Sequence, residues 1–148
     1  MRLIILYGSS TGNTARIAAY VADVFQTAGM EIEVKPVSAV EPQGLSTYDV
    51  IFLGSSTWGN GNLQDAMKLF YFKIDSEAVA SKRMAVFGAG DSRAYPRSFC
   101  KAVDLLQTKL KLCGAEIILP PLKVDGDASA SKEAVTEWAA RAVSAILE

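Results

Sequence analysis

The chain has 148 residues, 15 Lys and Arg against 16 Asp and Glu, 50% hydrophobic residues and no histidine. That describes one ordinary domain, residues 1–148, with enough apolar material for a core and no charge excess that would draw nucleic acid or an anionic membrane. Without histidine, Ser-His-Asp and Cys-His catalysis and most transition-metal sites are excluded, so redox chemistry would need a bound cofactor.

Arg2 precedes an apolar run too short for a signal peptide, and no stretch reaches the length of a membrane span. The expectation is a cytoplasmic protein. Residues 3–7, Leu-Ile-Ile-Leu-Tyr, predict a buried first strand. A helix follows over 13–28, with Ile17, Ala18, Val21, Val24 and Phe25 on one face and Gly29 as its stop. Residues 31–36 alternate apolar and charged and end in proline, as a half-exposed edge strand does. Residues 38–48, with Pro42 and Gly44, read as loop. A strand buried on both faces is expected at 50–53, a helix over 63–73 and a strand at 83–87. A helix over 99–113 has Cys100 and Cys113 at its two ends, which reads as two buried thiols rather than a disulfide. The fifth strand, 116–119, breaks at Pro120-Pro121 and resumes at 122–124. The last helix covers 132–147, with Ser131 as its cap.

Strands alternating with helices predict a parallel sheet covered on both faces. Such sheets bind ligands beyond the carboxyl ends of their strands. Three polar, glycine-rich loops lie there. The first is Gly8-Ser9-Ser10-Thr11-Gly12-Asn13-Thr14. It enters a helix N-terminus, where unpaired N–H groups and the helix dipole favour an anion. It has no Walker lysine and no Rossmann glycine triplet. By itself it reads equally as a neutral phosphate cradle and as a polar helix cap. The second loop places Trp58 between Thr57 and Gly59. Its indole either stacks on a flat ligand or folds back over the core. The third, from Gly88 to Ser98, offers Tyr95 stiffened by Pro96.

Taken together, Ser-x-Thr-Gly-Asn-Thr, then Ser-Thr-Trp-Gly, then Gly-Asp-Ser with a nearby Tyr and Phe99-Cys100, resemble the flavodoxin family. The likeness covers the chain, extends to Gly114-Ala115-Glu116 and Asp125-Gly126-Asp127, and lacks the long insertion in the fifth strand, so it is to the short-chain type. The resemblance implies a three-layer α/β/α sandwich on a five-stranded parallel sheet of order 2-1-3-4-5. It implies non-covalent FMN and a low-potential one-electron carrier working through the semiquinone/hydroquinone couple, without substrate turnover of its own. Its partners would be a reductase and an acceptor, met transiently by a monomer. The alternative is an enzyme of the same fold, such as an NAD(P)H:quinone reductase. By the same likeness, Ser9, Ser10, Thr11, Gly12, Asn13 and Thr14 would hold the phosphate, with Ser56 or the Trp58 indole assisting. Thr57 and Trp58 would flank the inner flavin face. Tyr95 or Arg93 would cover the outer one. Backbone near Gly90, Asp91, Phe99 and Cys100 would meet the pyrimidine edge, and the peptide joining Gly59 to Asn60 would lie beside N5. The family is typically acidic and this chain is nearly neutral, which implies a less negative second potential and docking that depends little on salt.

Overall fold

Seven strands and five α-helices are laid out along residues 1–148 of the computed structural model. Strand β1 (Leu3–Gly8) sits beside β2 (Glu33–Pro36) and β3 (Val50–Trp58), and β3 sits beside β5 (Arg83–Gly90). β6 (Glu116–Ile117) and β7 (Leu122–Asp125) both pair with β5, β6 at its start and β7 at its end. A two-residue β4 (Asn62–Leu63) turns back antiparallel on β3. The order is β2-β1-β3-β5-β6, with β4 and β7 off that path.

The sheet thus has seven strands where five parallel ones were expected, and the α/β/α fold class holds. Pro120-Pro121 causes one of the extra strands. Proline offers no N–H to a ladder, so the outer strand is cut into β6 and β7. The Pro120 carbonyl is used instead by the Trp138 indole N–H, at 2.8 Å.

The apolar runs of β1 and β3 face both ways, which is why they do not alternate. Ile5, Phe52 and Phe87 pack with Phe25 and Trp138 under α1 (Asn13–Thr27) and α5 (Lys132–Leu147). Ile4, Leu6, Leu53 and Val86 pack with Met67 and Leu106 under α2 (Asp65–Lys73) and α4 (Lys101–Leu112). The short α3 (Ser76–Val79) and the 3₁₀ turns Val37–Ala39 and Pro42–Thr47 replace stretches expected to be loop or to have no structure.

The central strands run farther than their composition suggests. β3 continues through Gly54-Ser55-Ser56-Thr57 to Trp58, and β5 through Gly88-Ala89-Gly90. Those residues read as loop, but a ladder is made by backbone. Here glycine is needed for closeness: a Cβ on Gly54 would stand 2.2 Å from the Phe87 ring, and one on Gly88 2.2 Å from the Ser55 carbonyl oxygen. The helix expected over 99–113 is shorter, with Cys100 and Cys113 flanking it. Ser131 makes no side-chain cap, and Asp127 accepts from the Ser129 N–H before that helix instead.

Both cysteines are free, but only Cys100 is buried; Cys113 is half-buried. Burial pushes the Cys100 thiol from 9.0 to about 12. Between those values the unfolded chain loses its thiol proton first, so this residue stabilises the fold fully below pH 9.0 and progressively less toward 12. Two results are expected. N-ethylmaleimide labels native Cys113 and spares Cys100 until unfolding, as read by mass spectrometry. Cys100→Ala flattens the alkaline fall in stability; an unchanged slope would assign that fall elsewhere.

Candidate functional site

The turn from β1 into α1 leaves all but one of the amide protons from Ser10 to Ala15 without protein partners. Gly12 is the N-cap, at φ +89°, and supplies no side-chain cap. The N–H groups of Asn13, Thr14 and Ala15 open the helix unpaired, and those of Ser10 and Thr11 also find no protein acceptor. The Gly12 N–H donates to Ser9 Oγ at 3.0 Å, which sets the bend. Ser10 Oγ accepts from Gln64 Nε2 at 3.2 Å, leaving the hydroxyl proton of Ser10 free to donate outward. Thr14 is fully buried, its hydroxyl 2.9 Å from that of Ser56. Asn13 donates to the Gly126 carbonyl and accepts from the Ala128 N–H, each at 2.7 Å, tying the cradle to the loop after β7. Convergent neutral donors at a helix N-terminus suit a phosphate.

The cradle forms one end of a cleft of about 520 Å³. Of the residues singled out in the sequence, Thr11, Asn13, Ser56, Thr57, Trp58, Gly59, Gly90, Asp91 and Tyr95 line it. Trp58 is 42% exposed and Tyr95 40%, so neither ring is folded into the core; the buried tryptophan is Trp138. Ser9, Ser10, Gly12, Thr14, Asn60, Phe99 and Cys100 do not line the cleft. Ser9 and Gly12 shape the cradle, and Phe99 and Cys100 pack behind Gly90, where a Cβ would stand 2.9 Å from the Cys100 nitrogen. Thr57 also holds a neighbouring helix, for its hydroxyl accepts from the Ala102 N–H at 3.0 Å and so caps α4.

Four lining residues are not among the site residues expected from the sequence: Arg16, Ala89, Gly126 and Asp127. Asp125-Gly126-Asp127 is visible as a turn, but nothing local says that it swings back over the first loop. Arg16 pairs with Asp127 at 3.5 Å. Hydrogen bonds from the Ser129 N–H and hydroxyl, with Arg16 nearby, hold the Asp127 carboxyl below its ordinary value.

Trp58 ends β3 rather than sitting in a loop. Its backbone pairs with Asn62, and the Gly61 N–H donates to the Trp58 carbonyl at 3.1 Å. Gly59 has φ +52° and Asn60 is not positive, the pattern of a II′ turn. Rotating the central peptide of such a turn makes it I′, with positive φ also at Asn60, a residue that tolerates it. On the opposite wall, the Asp91 carboxylate accepts from the N–H groups of Arg93 and Ala94, at 3.0 and 3.1 Å. The Tyr95 N–H donates to the Asp91 carbonyl at 2.9 Å. This closed turn carries Tyr95 to the cleft. Asp125 accepts from the Ser92 N–H and hydroxyl, which pins the same loop to β7 and lowers the carboxyl's pKa.

The flavodoxin family model matches residues 5–138. A flavodoxin of Nitratidesulfovibrio vulgaris is 38% identical over 147 residues, 97% of this chain and 98% of that one. The crystal structure of oxidised flavodoxin 1 from Bacillus cereus superposes with TM-score 0.86 at 36% identity, covering 97% and 98% of the two chains. A short-chain flavodoxin associated with a bacterial microcompartment shares the fold, at TM-score 0.86 and 20% identity over 97% of each chain. These relatives are electron-transfer proteins, and none of the likenesses supports the quinone-reductase alternative. The chain belongs to the flavodoxin family, and so to the small FMN-binding electron carriers.

Proposed function

We propose that residues 1–148 act as one FMN domain in which the 9–14 loop takes the phosphate and Trp58 and Tyr95 enclose the ring. The observation that carries this is the pairing, in one cleft, of unpartnered helix-start N–H groups with two half-exposed aromatic walls. The fit is chemical as well as spatial. The donors of the 9–14 loop are neutral, the Arg16 guanidinium that lines the same cleft is paired with Asp127, and a planar ring would meet flat, partly apolar walls. Tyr95, not Arg93, lines the cleft, which favours tyrosine as the outer wall.

When bound, the flavin supplies one-electron redox chemistry. The chain supplies the environment. Ser10, Thr11, Asn13 and Thr14 would hold the phosphate end through their free N–H groups, and Ser10 also through its hydroxyl. The aromatic walls limit water and raise the cost of negative charge between them. The peptide joining Gly59 to Asn60 can present either its carbonyl or its N–H to the cleft as the turn interconverts. Gly59→Ala strains that turn, since φ there is +52° although the space for a Cβ is open. Loss of one adjustable hydrogen bond, about 0.5–1.5 kcal/mol, is expected to narrow the gap between the two one-electron potentials by roughly 20–65 mV. Potentiometry checks it; an unaltered gap would retire the turn as a control element.

No helix of the chain is long and apolar enough to cross a membrane. We take the protein to be a cytoplasmic monomer that meets a reductase and an acceptor transiently. The test of the whole reading is reconstitution with FMN followed by anaerobic titration. Stoichiometric uptake and two separated one-electron steps are expected. Failure to take up FMN overturns the reading.

A further inference from the structure

Beside the cleft, cationic side chains gather where the 91–98 loop meets α4 and the 58–61 turn. Arg93, Arg97 and Lys101 are exposed. None of them belongs to any of the five ion pairs of the chain. Lys101 is placed by the turn itself: its Cδ lies 2.5 Å from where a Gly61 Cβ would stand, so the lysine stem lies across the turn that follows Trp58. Glycine at 61, with φ +113°, makes room for it.

The acidic groups around this patch are already occupied. Asp104 is paired with Lys123 at 2.8 Å. Asp91 caps its own loop, and Asp125 holds Ser92 with Arg93 nearby. On α2, Asp65 and Lys68 stand three residues apart and offset one another. The unbalanced charge is that of Arg97 and Lys101. Both line a groove of about 380 Å³ with Tyr71, Phe99 and Leu105. Lys109 lies 4.8 Å over the Tyr71 ring, and Phe72, 68% exposed, packs edge-on against Tyr71 at 5.4 Å. An aromatic shelf with a cationic rim is the composition of a recognition surface.

We propose that Arg97, Lys101 and the shelf of Tyr71, Phe72 and Phe99 dock a redox partner whose electron port is ringed by carboxylates. The proposal rests on the FMN reading above. It reverses what net charge alone implies, because the chain as a whole is at −1 and would weakly favour a basic partner. Local charge beside the port, not the total, decides orientation at encounter.

The test uses one haem protein in two charge states: native cytochrome c, which is basic, and its fully succinylated form, in which lysines have become carboxylates. The reduced FMN-loaded protein passes one electron to ferric haem, giving ferrous haem, and the rate is followed by stopped flow. With the succinylated form the rate is expected to fall about tenfold between about 10 mM and about 200 mM salt, and with the native form to stay level or rise. Arg97→Glu with Lys101→Glu is expected to cut the low-salt rate to succinylated cytochrome c about tenfold, while Lys111→Glu, at the far end of the same helix, changes it less than about twofold. Salt suppression with native cytochrome c but not with the acidic form overturns the proposal. So does an equal effect of the Arg97→Glu, Lys101→Glu double variant and of Lys111→Glu. Failure of the FMN reading looks different: no flavin is retained, or no electron reaches either cytochrome.

Discussion

Replacing Gln64 by leucine is expected to lower stability by about 1–3 kcal/mol and to weaken FMN binding about tenfold. Gln64 is 7% exposed and joins two loops of the site. Its Oε1 accepts from the Met67 N–H at 3.1 Å and caps α2, while its Nε2 donates to Ser10 Oγ at 3.2 Å. Leucine removes the cap and so leaves the buried Met67 N–H unpaired, which costs about 1–3 kcal/mol. Glycine at position 8 makes room for this amide, whose Oε1 would stand 2.4 Å from a Cβ there. The effect on the cofactor comes through Ser10. With Gln64 donating to its oxygen, the serine proton points outward; without that bond the hydroxyl turns freely. Gln64→Glu separates the two roles. The carboxylate still caps α2, so the Met67 N–H keeps its partner and the remaining stability cost is that of a poorly hydrated charge, but it cannot donate to Ser10 and it brings a negative charge toward the phosphate end. Charges a few ångströms apart repel by a few kcal/mol at an effective dielectric of about 20, so FMN affinity falls further than in the leucine variant. Urea unfolding and FMN titration read the two quantities. If Gln64→Glu bound FMN normally, the link from Gln64 to the cradle would be gone.

Gln64 shows where sequence reading stops. A single polar residue after Leu63 carries no pattern, and its importance lies in a contact with Ser10, 54 positions away. Arg16 and Asp127 are silent for the same reason: their pairing spans 111 positions. What was legible is what local physics writes. The double-sided apolar runs of β1 and β3, the face of α1 and the glycine-rich turns marked the layers and the end of the sheet that holds the cleft. Where composition misled, backbone prevailed. Gly54 to Thr57 looked like loop because small polar residues favour turns, yet two neighbouring strands supply partners for every position through Ser55. Trp58 was ambiguous between stacking and capping, and only burial could decide. Trp138 took the core place, packed edge-on to Phe52 at 5.9 Å.

Trp58→Ala is expected to weaken FMN binding roughly 10- to 100-fold and to make the second one-electron potential less negative. The backbone under Trp58 is held independently, by pairing to Asn62 and by the Gly61 N–H, so truncation removes a wall without moving the turn. Stacking of a flat heterocycle on an aromatic side chain is worth about 1–3 kcal/mol, which gives the fold-change. The shift in potential has a separate origin. Negative charge between two aromatic walls is poorly hydrated, and opening one wall admits water, which stabilises that charge. Trp58→Phe divides the terms: the ring face remains and the indole N–H does not, so most affinity should persist if stacking dominates. Tyr95→Ala offers the comparison on the other wall, where the loop is closed by Asp91 rather than by a ladder. Truncation there should also shift the potential upward. Dissociation constants from flavin fluorescence and midpoint potentials from anaerobic titration supply both readings. Wild-type affinity in Trp58→Ala would mean that the indole stands beside the ring without touching it, and the neutral cradle alone would then have to account for retention of the flavin.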